Sequence, residues 1–127
     1  MARGDDTEVR EVAETGGAKG SKLARFDMIP TDALFELAEH FGRGAEKYEP
    51  DERGVDNWRR GYPWHLSFGA AFRHLTAAMG GEDIDEETGS KHVIAVAWHC
   101  FVLAHQMNRA SQQGFDDRQD KIEEEVA

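Results

Sequence analysis

The chain has 127 residues, of which 39% are hydrophobic and 31% are charged, and its formal net charge is -10. This length allows one domain with one modest hydrophobic core. The excess of acidic residues disfavours non-specific binding to nucleic acid or to anionic membranes, because both depend on a surplus of Lys and Arg. We therefore expect neither a nucleic acid nor a membrane as partner.

Cysteine content and hydropathy indicate the compartment. Cys100 is the single cysteine, so it cannot form an internal disulfide, and its apolar neighbours predict that it packs as a small hydrophobic residue. No stretch approaches the roughly 20 apolar residues that span a bilayer, and the N-terminus lacks the order of a signal peptide. These features predict a cytoplasmic protein.

The N-terminal third of the chain contains one clear helix. Residues 1–18 are polar and predict a mobile tail or a frayed helix, and Lys19, Lys22 and Arg25 then place three cations close together. A helix over residues 31–48 follows. Its expected inward positions recur at helical spacing: Leu34, Leu37, Ala38, Phe41 and Ala45.

Two further helices are separated by loops. Residues 49–64 predict a long loop, and such loops are often functional. A helix over 64–79 should turn Leu66, Ala70, Leu75 and Ala78 inward, and an acidic segment over 82–89 follows it. The third helix, over 90–110, is apolar around most of its circumference and should be the central one. The pattern predicts an all-α domain over 19–110, an acidic helix or tail over 111–127, and no β-hairpin.

Two pairs of carboxylates share the same spacing. Glu36 and Glu39 lie one turn apart on the first helix, and Glu82 and Asp85 repeat that spacing in the acidic segment. Carboxylates brought together repel one another unless a cation lies between them. Hard divalent cations prefer oxygen ligands, so a magnesium site is one interpretation, and a solvated acidic surface is the other.

Cationic and aromatic residues offer contacts for an anion or a base. Arg73 and His74 lie in an otherwise small and apolar helix, where an arginine is favourable if it meets an anion such as a triphosphate or a carboxylate. Lys47, Asn57 and Trp58 flank or occupy the long loop, and an indole can stack on a purine. Trp64 is expected to pin that loop to the core. The six histidines show no zinc-type spacing.

The order of short motifs resembles the phage dATP/dGTP diphosphohydrolase family, the MazZ-type enzymes. The resemblance spans residues 16–106. It is carried by Lys19-x-x-Lys22, Arg25-Phe-Asp-Met-Ile-Pro30, Gly44-Ala-Glu-Lys-Tyr48, Asn57-Trp58, Arg73-His74-Leu75, Gly81-Glu82-x-x-Asp85 and Gly89-x-x-His92.

The resemblance implies a compact helical bundle of the MazG-like NTP pyrophosphohydrolase type, active as a homodimer or homotetramer. It implies that dATP and dGTP are cleaved to the monophosphate and pyrophosphate, with Mg2+, or Mn2+ instead, as the cofactor. The implied metal ligands are Glu36, Glu39, Glu82 and Asp85, and the gap between the two pairs leaves Glu46 or His74 as an alternative ligand.

The remaining residues receive roles from the same resemblance. Lys47, Arg73 and His74 are the expected catalytic residues. Lys19, Lys22, Asn57 and Trp58 are the expected contacts to the substrate. For a phage-encoded enzyme the compartment would be the host cytoplasm, where the product dGMP would supply modified-purine synthesis.

Two other functions remain open from the residues. An HD-like phosphohydrolase would hold its metal with His74, His92 and the acidic segment, and it would release triphosphate. A helical interaction module without catalysis would use its acidic surfaces to bind a basic partner.

Overall fold

The computed structural model describes residues 8–120. The expectations for residues 1–7 and 121–127 lie outside this range. Four α-helices follow one another along the chain: α1 (Thr31–Lys47), α2 (Asn57–Arg60), α3 (Trp64–Met79) and α4 (His92–Met107). Two 3-10 segments, Phe26–Met28 and Ala110–Phe115, precede and follow them. The predicted all-α class is confirmed.

Helix α1 begins and ends where the backbone becomes extended. Pro30 has φ -63° and ψ 122°, and its carbonyl accepts the first helical hydrogen bond from the amide of Leu34 at 3.0 Å. Proline suits this position because its φ is already fixed near the helical value. The helix ends at Lys47, one residue before the predicted end, and Gly42 and Gly44 do not interrupt it.

Helix α4 packs against both α1 and α3, as expected of the central helix. It contributes most of the buried apolar side chains of the described residues: Ile94, Ala95, Val102 and Leu103, beside Leu37 of α1 and Trp64 of α3. The core is small, and several polar side chains lie within it.

The inward face of α3 differs from the predicted one. Leu66 and Leu75 are 52% and 40% exposed, whereas Ser67 and His74 are buried. Polar partners explain this choice of face, because Ser67 Oγ contacts Tyr62 Oη at 2.6 Å and His99 Nδ1 at 3.0 Å. A buried hydroxyl with hydrogen-bond partners is tolerated, so hydrophobicity did not decide the orientation of this helix.

A β-hairpin precedes the helices, where the sequence predicts none. Strand β1 (Glu8–Val12) pairs antiparallel with β2 (Ala18–Lys22), and Val12 lies opposite Ala18. The turn between them uses Gly16 with a φ of 85°, a conformation that glycine adopts without strain. Both strands are short and polar, so neither shows the alternation that identifies a strand in sequence.

Large apolar side chains remain exposed on the helices. On α4, Val93, Phe101 and Met107 are 51%, 56% and 41% exposed. Cys100 lies on the same exposed side, so the prediction that it is packed inside the chain is wrong. Among the described residues, no helix combines the length and apolar character needed to cross a bilayer.

Candidate active site around the α3–α4 connector

The α3–α4 connector, residues 80–91, folds into a tight loop. The amide of Asp85 donates to the carbonyl of Ser90 at 2.8 Å, and the amide of Gly89 donates to the carbonyl of Asp85 at 2.7 Å. Gly81 and Gly89 have φ values of 99° and 76°, which favour glycine. These bonds place the side chains of the connector between α1, α3 and α4.

A cavity of about 170 Å³ lies between α1 and the connector. Glu36, Glu39 and Arg43 line it from α1. Gly89, Ser90 and Lys91 line it from the connector. Carboxylate oxygens and cationic groups therefore face the same space, which is the combination that a metal-bound phosphate requires.

Cations of the cavity are already engaged with polar partners. Lys91 Nζ lies 2.9 Å from Glu36 Oε1, and Arg43 Nη1 donates to Ser90 Oγ at 2.7 Å. The hydrogen bond to Glu36 raises the pKa of Lys91, so this ammonium is charged at neutral pH. Both side chains of the Lys91–Glu36 ion pair are partly exposed, and such pairs contribute little free energy. An anionic ligand can therefore replace the Glu36 carboxylate beside Lys91.

Ser90 joins the cavity to a histidine of α1. The hydroxyl is buried and lies 2.7 Å from His40 Nδ1. Burial, followed by the charge of Arg43, lowers the pKa of His40, so the imidazole is neutral near pH 7. Because Arg43 donates to Ser90 Oγ, the hydroxyl proton is free to be donated to His40 Nδ1.

A second group of residues, of types that commonly bind metal ions, consists of His74 of α3, Asp85 of the connector and His92 of α4. Donor atoms of His74, Asp85 and His92 all lie within 4.8 Å of one another. His74 and His92 are 8% and 6% exposed, and their Nδ1 atoms are 2.8 Å apart. Burial lowers the pKa of His74, and Arg73 lowers it further. The His74 ring is therefore neutral near pH 7 and can offer a lone pair.

The structure distributes the four predicted metal ligands over these two places. Glu36 and Glu39 line the cavity, Asp85 lies with the two histidines, and Glu82 Oε1 is 3.4 Å from His92 Nε2. Within residues 8–120, the four carboxylates do not form one group as close as that of His74, Asp85 and His92. The first pair lies on α1, and the second pair lies in the connector itself.

The predicted catalytic residues lie at different distances from this site. His74 belongs to the histidine–aspartate group. Lys47 reaches the connector, because its Nζ lies 3.1 Å from Glu87 Oε1. Arg73 is exposed, and it makes no hydrogen bond or ion pair with the residues that the structure describes. The apolar composition of the helix therefore does not bury Arg73, and its catalytic role stays a prediction.

The predicted substrate contacts lie outside the cavity. Lys19 and Lys22 belong to β2, where their backbones face Glu11 and Glu8. Asn57 Oδ1 accepts a hydrogen bond from Arg60 at 3.1 Å. Trp58 packs edge-on against Phe41 and His105, with ring centroids at 5.9 and 5.2 Å. The guanidinium of Arg59 covers the indole at 4.4 Å.

Sequence reasoning missed His40, Arg43, Ser90 and Lys91. A signal for two of them exists, because residues 36, 39, 40, 43 and 47 are all polar and recur at the spacing of one helix face. Ser90 and Lys91 carried no such signal. Their importance depends on the fold of the connector, which spacing along the chain does not reveal.

Comparison with known proteins identifies the family. A family model described as dATP/dGTP diphosphohydrolase, N-terminal, matches residues 13–118. The chain belongs to this family. It is therefore an enzyme, a hydrolase with a nucleotide substrate, and the resemblance noted in its motifs is confirmed. No curated protein and no solved structure matches the chain.

Proposed function

We propose that this diphosphohydrolase hydrolyses the purine deoxynucleoside triphosphates dGTP and dATP, with Mg2+, to the monophosphate and pyrophosphate. The observation that carries the proposal is the cavity in which Glu36, Glu39 and Arg43 face Ser90 and Lys91. Carboxylates for a cation and basic groups for phosphate lie side by side there, in a member of a nucleotide-hydrolysing family.

The oxygen donors of this region suit a hard cation. Glu36 and Glu39 of α1 would hold Mg2+, or Mn2+ in its place, at the cavity, and Glu82 and Asp85 would supply further oxygen ligands beside the histidines. The bound cation would polarise phosphoryl oxygens and make a bound water more acidic. Glu36 becomes available when a phosphate takes its place beside Lys91.

Basic residues would bind the triphosphate and stabilise the charge that builds up during bond cleavage. Arg43 and Lys91 line the cavity itself, and Lys47 lies beside the connector. Arg73 of α3 is exposed, so it is available to a phosphate oxygen. Such preorganised cations are effective where water is partly excluded.

We assign the purine to the region of Asn57 and Trp58. Arg59 is exposed, and when it moves from the indole face, that face becomes free for a base. Stacking of a base on an aromatic side chain contributes roughly 1–3 kcal/mol. Lys19 and Lys22 of the hairpin would contact the substrate from outside the cavity.

A homodimer or homotetramer is the proposed assembly, in the cytoplasm. Val93, Phe101 and Met107 form an exposed apolar stripe on α4 that association would bury. Contiguous apolar surface of this kind marks interaction sites. The net charge of -10 argues against nucleic acid as a partner.

A second candidate reaction is release of triphosphate. The close group of His74, Asp85 and His92 favours it, because an HD-like phosphohydrolase would hold its metal with histidines and a carboxylate. The family description, a diphosphohydrolase, favours pyrophosphate. The products distinguish the two reactions.

The test is an anion-exchange separation of the products from each of the four dNTPs with Mg2+. We expect dGMP and dAMP with pyrophosphate, and slow turnover of dCTP and dTTP. Tripolyphosphate with a deoxynucleoside would establish the second candidate. Turnover of all four dNTPs at one rate would refute the purine preference, and no turnover would refute both reactions.

A further inference from the structure

Two buried imidazoles and one carboxylate converge from three elements of the fold. His74 lies in the middle of α3, Asp85 lies in the connector, and His92 is the first residue of α4. The two imidazoles face each other through their Nδ1 atoms, 2.8 Å apart. The two histidines are 18 positions apart in the sequence, and the sequence predicts them in one metal site only for the HD-like alternative.

The facing nitrogens have two chemical explanations. A hydrogen bond between them requires one ring to carry its proton on Nδ1 and the other on Nε2. Alternatively, both rings carry the proton on Nε2 and direct both lone pairs at one cation. A carboxylate oxygen of Asp85 lies within 4.8 Å of a ring nitrogen of each histidine, and this third donor favours the cation, because a hydrogen-bonded pair of neutral rings does not need it.

His92 provides an independent indication. Its Nε2 is buried and makes no hydrogen bond with the residues that the structure describes, although Glu82 Oε1 lies 3.4 Å away. A histidine that binds metal through one nitrogen commonly donates its other N–H to a carboxylate, which orients the ring. A small movement of the exposed Glu82 would complete that bond, so His92 has the surroundings of a metal ligand.

Local hydrogen bonds hold two of the three donors, Asp85 and His92, in place. The amide of His92 donates to the carbonyl of Asp83 at 2.9 Å, which fixes the start of α4. The Asp85 carboxylate accepts from the amide of Glu87 at 3.1 Å and from Thr88 Oγ1 at 3.3 Å. A donor set positioned before the metal arrives binds with little reorganisation.

We propose that His74, Asp85 and His92 form a site for a divalent first-row transition metal, such as Mn2+, Co2+ or Zn2+, in preference to Mg2+. Two imidazole nitrogens select such ions, whereas Mg2+ favours oxygen ligands. Three protein ligands leave positions open for water or a phosphate oxygen. Asp85 belongs both to this metal site and to the ligands of the proposed function. Metal binding here does not depend on the proposed function, but a role of the bound metal in turnover does.

The experiment is a titration of metal-free protein with Co2+ in millimolar Mg2+, followed by visible absorption and by NMR of exchangeable protons. We expect one Co2+ per chain. Two strongly shifted ring N–H signals are also expected, because coordination through Nδ1 leaves each Nε2 proton in place. No Co2+ binding, or binding without shifted ring protons, would overturn the proposal.

Matched variants locate the metal. His74→Asn, His92→Asn and Asp85→Asn should abolish tight binding, and Glu82→Gln should weaken it by roughly tenfold or more. His105→Asn and Glu86→Gln are the controls and should bind as the wild type does. Equal binding by all variants would overturn the assignment.

The wild-type NMR result does not depend on whether the buried histidine variants fold. Metal binding without any dNTP turnover would refute the proposed function and leave this site intact. Turnover of dNTPs with Mg2+ but no Co2+ binding would refute this metal site and leave the proposed function intact.

Discussion

The two long connections of the molecule use their polar residues in opposite ways. In residues 48–63, backbone hydrogen bonds close the loop on itself, as between Asp51 and Val55. The loop is also attached to the helices, because Trp58 packs against Phe41 and its carbonyl accepts a hydrogen bond from Gln106 Nε2 at 2.6 Å. In the α3–α4 connector, Asp85 and Ser90 instead reach histidines of three helices. The first connection therefore contributes to packing, and the second brings together residues of the candidate site.

Loop length and aromatic content therefore do not locate the candidate site. The 48–63 connection has the stronger sequence signals, including Trp58 and the following Trp64, which is 1% exposed. The α3–α4 connector is acidic and contains no aromatic residue, which is also typical of a solvated turn. Backbone hydrogen bonds hold this connector in a tight loop, in which Asp85 lies within 4.8 Å of donor atoms of His74 and His92.

The largest effect is expected from Asp85→Asn. Asp85 belongs to both proposed donor sets, so loss of its charge should lower kcat/KM for dGTP by roughly a hundredfold or more. The exposed residue Glu86 provides the control, because Glu86→Gln removes the same charge from the same connector. Steady-state kinetics with dGTP measure kcat/KM for both variants. Equal values of kcat/KM for Asp85→Asn and Glu86→Gln would show that Asp85 has no specific role in catalysis.

Arg43→Gln should have the next largest effect. Its guanidinium contacts Ser90 in the cavity, and we expect kcat/KM to fall by about tenfold to a hundredfold as phosphate stabilisation is lost. Arg10→Gln, on the hairpin, is the matched control for charge. If the two variants behave alike, the cavity does not bind the triphosphate.

Trp64→Phe tests whether the tryptophan that follows the 48–63 connection serves packing rather than catalysis. The indole is buried against the core, so we expect the free energy of unfolding to fall by about 1–3 kcal/mol while kcat of the folded enzyme is kept. Chemical denaturation and kinetics at low temperature measure the two quantities. A loss of kcat without a loss of stability would give Trp64 a role in catalysis rather than in packing.

The smallest effect concerns the loop closed by Asp51. Hydrogen bonding by Arg53, and then by the amide of Val55, lowers the pKa of Asp51 from 3.8 to about 2. A depressed carboxyl pKa stabilises the fold above pH 3.8, and this contribution is lost as the pH falls through that value towards 2.

Asp51→Asn should therefore lower Tm slightly at pH 7. The difference from the wild type should shrink as the pH falls from 3.8 towards 2. Thermal melts over that range provide the check, with Glu52→Gln as the control. A pH-independent difference would show that the charge of Asp51 does not close the loop.

Periodicity predicted the helices well and their orientation poorly. The bounds of α3 agree with the prediction because Trp64 follows a proline and two glycines come after Met79. Its inward face does not agree, since buried hydrogen bonds of Ser67 made a polar face compatible with the core. Hydrophobic spacing contains no information about such partners.

The candidate site was predictable where its residues share a helix. Glu36 and Glu39 are one turn apart, and both line the cavity. The meeting of His74 with His92 depends on how α3 and α4 pack, which single-chain patterns do not specify. The hairpin over residues 8–22 was missed because its short strands are polar on both faces.

The central claim is that the enzyme cleaves purine dNTPs between the α- and β-phosphates by attack of water on the α-phosphorus. The most direct test is hydrolysis of dGTP with Mg2+ in 18O-labelled water, followed by 31P NMR of the products. Because water attacks the α-phosphorus, we expect one labelled oxygen in dGMP and none in pyrophosphate. Label in pyrophosphate, or deoxyguanosine with labelled tripolyphosphate, would contradict it.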